Sequence, residues 1–218
     1  MLQIQNYSYK YHADSDYVFR DLNLEINPGS IVKLKGANGA GKSTFIYSLS
    51  GFICQYLGGE LEGKVFYKGY DLHQMSVLER IETMNIVFQD PECQISFTGA
   101  FEELNCQLLY TQRKTEQKDK QILDYLQLFG LPINESSKTS ELSWGQKKMI
   151  CFISLFVNDP DIWLLDEPFS GLSLHHSEIF AEVLKKKRQE GRIIMLSDHT
   201  NFPLDYQYTI DFGKYVKH

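Results

Sequence analysis

"GANGAGKST", residues 36–44, is the stretch on which the reading of this chain turns. It fills the pattern G-x-x-x-x-G-K-[ST], and its flanks are the ones that pattern needs. "IVKLKG" before it reads as a strand, and "KSTFIYSLSGF" after it carries apolar positions at helical spacing and stops at Gly51. Gly36, Gly39 and Gly41 let successive backbone N–H groups converge on phosphate oxygens, an approach that a Cβ would block. Asn38 and Ala40 complete the loop. The helix that follows adds about half a positive charge at its N-terminus. Lys42 is placed to reach the β- and γ-phosphates of a nucleotide, and the Ser43 hydroxyl to ligate Mg²⁺, with Thr44 beside it.

Farther along, "IWLLDEP" is a short, wholly apolar run ending in two acids. Such a run suits a strand buried on both faces of a parallel sheet, whose C-terminal ends face ligands. Asp166 there can hold Mg²⁺, directly or through water, and Glu167 can orient or deprotonate a water. Taken alone, an Asp-Glu pair after a strand is more often a solvated strand end; downstream of a phosphate loop the catalytic reading gains. His199, after the strand "RIIMLS", and Gln89, closing "NIVFQ", are uninformative alone and matter through their order among the other elements.

Composition bounds the remainder. A length of 218 residues suits one α/β domain with an inserted subdomain. A net charge of -6 gives no nucleic-acid footprint. The basic run Lys185 to Arg188 reads as cations complementing a helix C-terminus before Gly191. The four cysteines, Cys54, Cys93, Cys106 and Cys151, form no C-x-x-C pair, which suggests free thiols in a reducing cytosol. The N-terminus lacks the charged and apolar regions of a secretion signal, and no apolar run approaches the ~20 residues that span a bilayer. "MICFISLFV" is too short and reads as a buried helix. Any membrane role is expected to come through a partner.

Alternating patterns in "LQIQNYSY" and "LNLEI" suggest antiparallel strands near the N-terminus, and "LEGKVFYKG" another strand or hairpin. About residues 91–156 change character and read as helical. "FTGAFEELNCQLLY" puts Phe97, Phe101, Leu104 and Leu108 on one face, and "QKDKQILDYLQLFG" makes a second amphipathic helix. That apolar face suits the helical block's own core; a docking groove is the other use.

In this order the motifs resemble those of the ATP-binding cassette ATPases along essentially the whole chain. Residues 36–44 match the phosphate loop and Gln89 the Q-loop. "LSWGQ" (142–146) matches the Leu-Ser-Gly-Gly-Gln signature, "IWLLDEP" the acidic strand, "SGLS" (170–173) the D-loop and His199 the switch histidine. The resemblance implies a P-loop NTPase (RecA-like) core with an N-terminal antiparallel β subdomain and an inserted α-helical signature subdomain. It divides residues 1–218 into about 1–90 plus 157–218 for the first two parts and about 91–156 for the third. It implies ATP and Mg²⁺, with Glu167, His199 and Gln89 as the hydrolytic residues, and Ser43, Gln89 and Asp166 at the metal. Tyr11 falls where the family stacks adenine, with Tyr9 the second choice. No N-K-x-D guanine-reading motif occurs, which favours adenine.

The resemblance also implies that two cassettes meet head to tail. Ser143, Gly145 and Gln146 of one signature would then cap the ATP held by its partner, a second ABC ATPase identical or different. Trp144 replaces the first glycine of the signature pair and is expected to point away from phosphate; an impaired cap is the other reading. Ser173 stands where an aspartate is usual. "FQDPECQISF" resembles a segment of energy-coupling-factor and cobalt-type importer ATPases, although those usually carry a further C-terminal dimerisation region. The expectation is a peripheral subunit on the cytoplasmic face of the membrane, driving an integral membrane transporter subunit and binding no nucleic acid. An exporter ATPase, or a soluble non-transport or regulatory cassette, is the alternative.

Overall fold

Two wholly apolar runs become adjacent buried strands at the centre of a parallel sheet. The computed structural model describes residues 1–51, 58–200 and 202–215; Phe52 and Cys54, included in the sequence reading, lie outside them. The elements run β1 (Leu2–Lys10), β2 (Phe19–Ile26), β3 (Ser30–Lys35), α1 (Lys42–Ser50), β4 (Glu60–Tyr67), β5 (Tyr70–Asp71), α2 (Val77–Thr83) and β6 (Met84–Val87). There follow α3 (Ala100–Tyr110), α4 (Glu116–Leu128), α5 (Trp144–Asn158), β7 (Ile162–Asp166), α6 (Leu174–Gln189), β8 (Ile193–Ser197) and β9 (Tyr208–Asp211).

Five strands in the order β6-β7-β8-β3-β9 form the parallel sheet, and β2-β1-β4-β5 form an antiparallel one. The two-residue period of a strand assigns the sheet's faces. Ile162 and Leu164 of β7, with Ile193 and Met195 of β8, point into a core shared with the antiparallel sheet and α1. Trp163 and Leu165, with Ile194 and Leu196, point into a second core built with α3, α4, α5 and α6. Burial on both faces explains why β7 and β8 carry no polar alternation. Each fully buried large apolar side chain contributes about 1.5–3 kcal/mol. In the second core Phe152 stacks on Phe180 at 4.1 Å, and Phe156 stacks on Trp163 at 5.4 Å.

The structure departs from the sequence reading at three places. Phe97 precedes α3 rather than sharing its face, because the Glu103 carboxylate accepts hydrogen bonds from the backbone N–H groups of Ser96 and Phe97 and ties that loop down. Ala100, Leu104 and Leu108 are buried apolar positions of that helix, and Phe101 is half-buried. Helix α2 was not expected, although Ser76 and Glu79 spell its capping box. The basic run at the end of α6 does more than complement the helix terminus. Lys187 is buried between Asp159 and Glu190, and Arg188 pairs with Asp205. Strand β9 is short and passes into a 3-10 turn at Phe212–Lys214. Of the cysteines, Cys93 and Cys151 are free thiols.

Candidate functional site

The phosphate loop joins β3 to α1, and its shape rests on Gly41. This residue is the N-cap of α1 at φ 88°, and a Cβ there would meet Val18 Cγ1 at 2.7 Å. An L side chain at such a φ costs about 1–3 kcal/mol. Gly41→Ala is therefore expected to weaken nucleotide affinity about fivefold or more, checked by titration against the unmodified protein. No acidic residue sits in the first turn of α1, so the positive end of the helix is left uncompensated. Lys42 is buried, and its Nζ donates to the carbonyls of Gly36 at 2.9 Å and Ala37 at 2.8 Å. Burial lowers its pKa, and the nearby carboxylates of Glu167 and Asp166 oppose that shift.

A cleft of about 890 Å³ opens over this loop. Asn38 to Thr44 form its floor, Tyr11, Tyr17 and Val18 one wall, and Gln89, Glu167 and His199 the opposite side. Tyr11 is exposed, and its hydroxyl lies 3.0 Å from Thr44 Oγ1, so its ring is available to a base. Tyr9 is not: it is fully buried and donates to the Gly58 carbonyl.

Across from Lys42, the acids at the end of β7 differ sharply in surroundings. Asp166 is 1 % exposed and accepts three hydroxyl hydrogen bonds. Ser43 Oγ at 2.9 Å and Ser197 Oγ at 2.6 Å reach Oδ1, and the Tyr47 hydroxyl reaches Oδ2 at 2.6 Å. Burial and the Asp166 charge raise the Tyr47 pKa far above its ordinary value, which keeps this tyrosine a neutral donor. Glu167 instead faces the cleft. Gln89 Nε2 donates to its Oε2 at 3.0 Å, and His199 Nε2 lies 3.4 Å from Oε1. The structure thus brings Lys42, Ser43, Asp166, Glu167, Gln89 and His199 together from four places in the chain.

Among the described residues no group of three or more His, Cys, Asp or Glu side chains could hold a metal ion. The donors present here are the Ser43 hydroxyl, the Asp166 carboxylate and the Gln89 amide oxygen. These are hard oxygens, and one carboxylate beside a phosphate loop suits Mg²⁺, which takes few protein ligands and completes its shell with phosphates and water.

Ser143, Gly145 and Gln146 do not line this cleft. They begin α5, where Ser143 Oγ accepts from Gln146 N at 3.3 Å and Gln146 Oε1 accepts from Ser143 N at 2.9 Å, a reciprocal cap. The ring of Trp144 turns back onto its own chain. It lies so close over Gly171 that a Cβ there would sit 2.3 Å from it, and Lys148 Nζ is 4.8 Å from its centroid. Ser173 is the N-cap of α6, accepting from His176 N at 3.2 Å. Serine caps a helix about as well as aspartate, so α6 loses nothing by the change.

Sequence reasoning missed Tyr47 and Ser197. Tyr47 lies four residues beyond Ser43, hence on the same face of α1. Ser197 pairs in register with Asp166 across β7 and β8, a neighbour visible only once the strand order is known.

A phosphate loop at a helix N-terminus, facing paired acids at the ends of parallel strands, defines a P-loop nucleotide-binding α/β domain. Residues 19–170 match the family model described as ABC transporter. A putative ABC transporter ATP-binding protein of Pyrococcus abyssi is 32% identical over 208 residues, covering 94% of this chain and 74% of that protein. One of Clostridium perfringens is 32% identical over 207 residues, covering 94% of this chain but only 35% of that protein, so the chain spans about a third of that relative's length. The chain belongs to the ABC transporter ATP-binding family. Among solved structures, a dimeric ATP-binding cassette in a post-hydrolysis state bound to ADP and Pi shares the fold at TM-score 0.77 and 23% identity, over 91% of this chain and 88% of that one. The cbiO1 protein of Clostridium perfringens, part of the ABC transporter complex cbiONQ, aligns at TM-score 0.70 and 25% identity, over 91% of this chain and 78% of that one.

Proposed function

We propose that this member of the ABC ATPases binds and hydrolyses ATP to drive a transporter whose membrane path lies in separate subunits, in energy-coupling-factor-type uptake of a vitamin or metal ion. The observation that carries the hydrolytic reading is the meeting of Gln89 and His199 on the Glu167 carboxylate, in the same cleft as Lys42. The loop amides and Lys42 would hold the phosphates, and Tyr11 would stack on adenine. Ser43, Asp166 and Gln89 would hold Mg²⁺, which neutralises phosphate charge when bound. Glu167 would align and deprotonate the attacking water, with Gln89 and His199 fixing its rotamer.

A second cassette fits this reading, because Ser143, Gly145 and Gln146 lie outside their own chain's cleft with a helix N-terminus behind them. A dimeric relative of the fold supports it. Among the described residues no helix is long and apolar enough to cross a membrane. Membership of the ABC transporter ATP-binding family supports action from the cytoplasmic face through a membrane partner. The segment "FQDPECQISF" and the likeness to cbiO1 support the importer branch.

Two experiments test the proposal. Purified protein should hydrolyse ATP in the presence of Mg²⁺ and stop on chelation. Extraction in mild detergent should bring down a second cassette and an integral membrane subunit that takes up a vitamin or metal ion; recovery with an exporter would sink the uptake reading. Trp144→Gly should change turnover less than tenfold, because the indole packs toward Gly171 and leaves the start of α5 open. A hundredfold gain, about 2.7 kcal/mol of barrier, would mean that Trp144 had degraded the signature cap.

A further inference from the structure

One charged side chain near the cleft is completely buried and has no part in the chemistry described so far. Lys148, in the second turn of α5, is 0% exposed. Its Nζ donates to the carbonyls of Glu167 at 2.7 Å, Ser170 at 3.2 Å and Gln89 at 3.4 Å. An ammonium has three N–H donors, and here each meets a carbonyl: Glu167 and Ser170 end one turn, closed by Ser170 N–H donating to Glu167 O at 3.2 Å, and Gln89 belongs to a separate segment. The Trp144 ring covers the cation from 4.8 Å, a favourable cation–π arrangement. Burial lowers its pKa to about 8, opposed by the charges of Glu167 and Asp166.

The backbone that Lys148 grips is itself strained. Glu167 has φ 47°, a left-handed conformation that a non-glycine residue holds only when its surroundings enforce it. Its N–H donates to Ser197 O at 3.2 Å and Ser197 Oγ at 3.0 Å, which secures one side. The Glu167 carbonyl, on the other side, is the shortest of the Lys148 contacts.

We propose that Lys148 is a positioning residue for hydrolysis: its ammonium clamps the Glu167–Ser170 turn to the Gln89 segment, and so fixes how the Glu167 carboxylate meets the cleft. Trp144 is the lid of this clamp, which ties the start of the signature helix to the turn after the acidic strand within one chain. The inference rests on the hydrolytic reading above and adds to it a residue that does not line the cleft.

The test compares wild type, Glu167→Gln and Lys148→Met in one series, measuring kcat, ATP affinity and the unfolding temperature. Methionine matches lysine in length and removes the three donors. Lys148→Met is expected to lower kcat tenfold or more while ATP affinity stays within threefold, since the phosphate loop and Lys42 are untouched. Lys148→Gln, which keeps two donors, is expected to recover part of the lost kcat. A fall in kcat of less than tenfold, or parallel losses of kcat and affinity, would overturn the proposal. So would failure of both variants to fold, which would make Lys148 a stabilising residue only. If wild type does not hydrolyse ATP, or Glu167→Gln is as active as wild type, the hydrolytic reading itself fails and takes this inference with it.

Discussion

Glu167→Gln is expected to leave ATP bound and to slow its hydrolysis by about 10²–10⁴-fold, the range that a positioned general base supplies. Glutamine has nearly the volume of glutamate and keeps an oxygen that can accept from Gln89, whose Nε2 now donates to Glu167 Oε2 at 3.0 Å. What it loses is the ability to take a proton from water. Binding should survive because the proposed phosphate contacts, Lys42 and the loop amides, are unchanged in this variant. A hundredfold loss in rate corresponds to about 2.7 kcal/mol of barrier. Where hydrolysis reopens an ATP-bound pair, the variant should also accumulate as a dimer with ATP and Mg²⁺, read by size-exclusion chromatography with light scattering. Normal turnover in Glu167→Gln would remove the residue from its assigned role, and Gln89 and His199 would then have converged on a bystander.

The residues of this site were unequally legible in the sequence. The phosphate loop was readable because its chemistry is local: nine consecutive residues fix both the backbone path and the side chains that face the ligand. Strands β7 and β8 were readable because burial on both faces removes polar alternation, and Asp166 and Glu167 follow from the end of β7. Gln89 and His199 stood out only by their order among those elements. The partners of Asp166 were harder. Ser197 reaches it because β7 and β8 are neighbours in register, a pairing across 31 residues that no local pattern announces. Lys148 was the least legible. "GQKKMI" reads as a solvated turn entering a helix, and the two lysines look alike. Yet Lys147 forms an ion pair with Glu92 at the surface, while Lys148 is wholly buried under Trp144. Only the packing of α5 against the Gln89 segment and the Glu167–Ser170 turn separates them. Phe97 misled for the opposite reason. Its spacing suited a helix, but the Glu103 carboxylate captured its N–H and held it in the preceding loop.

Lys42→Ala should remove measurable ATP binding under conditions where the wild type saturates. In this structure Nζ donates to the Gly36 and Ala37 carbonyls, at 2.9 and 2.8 Å, so the ammonium lies directly beneath the loop whose amides face the cleft. A hydrogen bond to a charged group contributes about 1.5–3 kcal/mol. Two such bonds to phosphate oxygens would give about 3–6 kcal/mol, or about 10²–10⁴ in affinity. Alanine also leaves the two loop carbonyls without their donor, so the loop loses its internal brace together with its charge. The measurement is calorimetric titration with ATP, with the unfolding temperature recorded beside it. Wild-type affinity in a folded Lys42→Ala protein would mean that the cleft over Gly36–Thr44 is not the nucleotide site. A lost affinity with an unfolding temperature within a few degrees of wild type would assign the effect to the ligand. The contrast with Glu167→Gln then separates the two halves of the cleft: one variant should lose the nucleotide, and the other should keep it without turning it over.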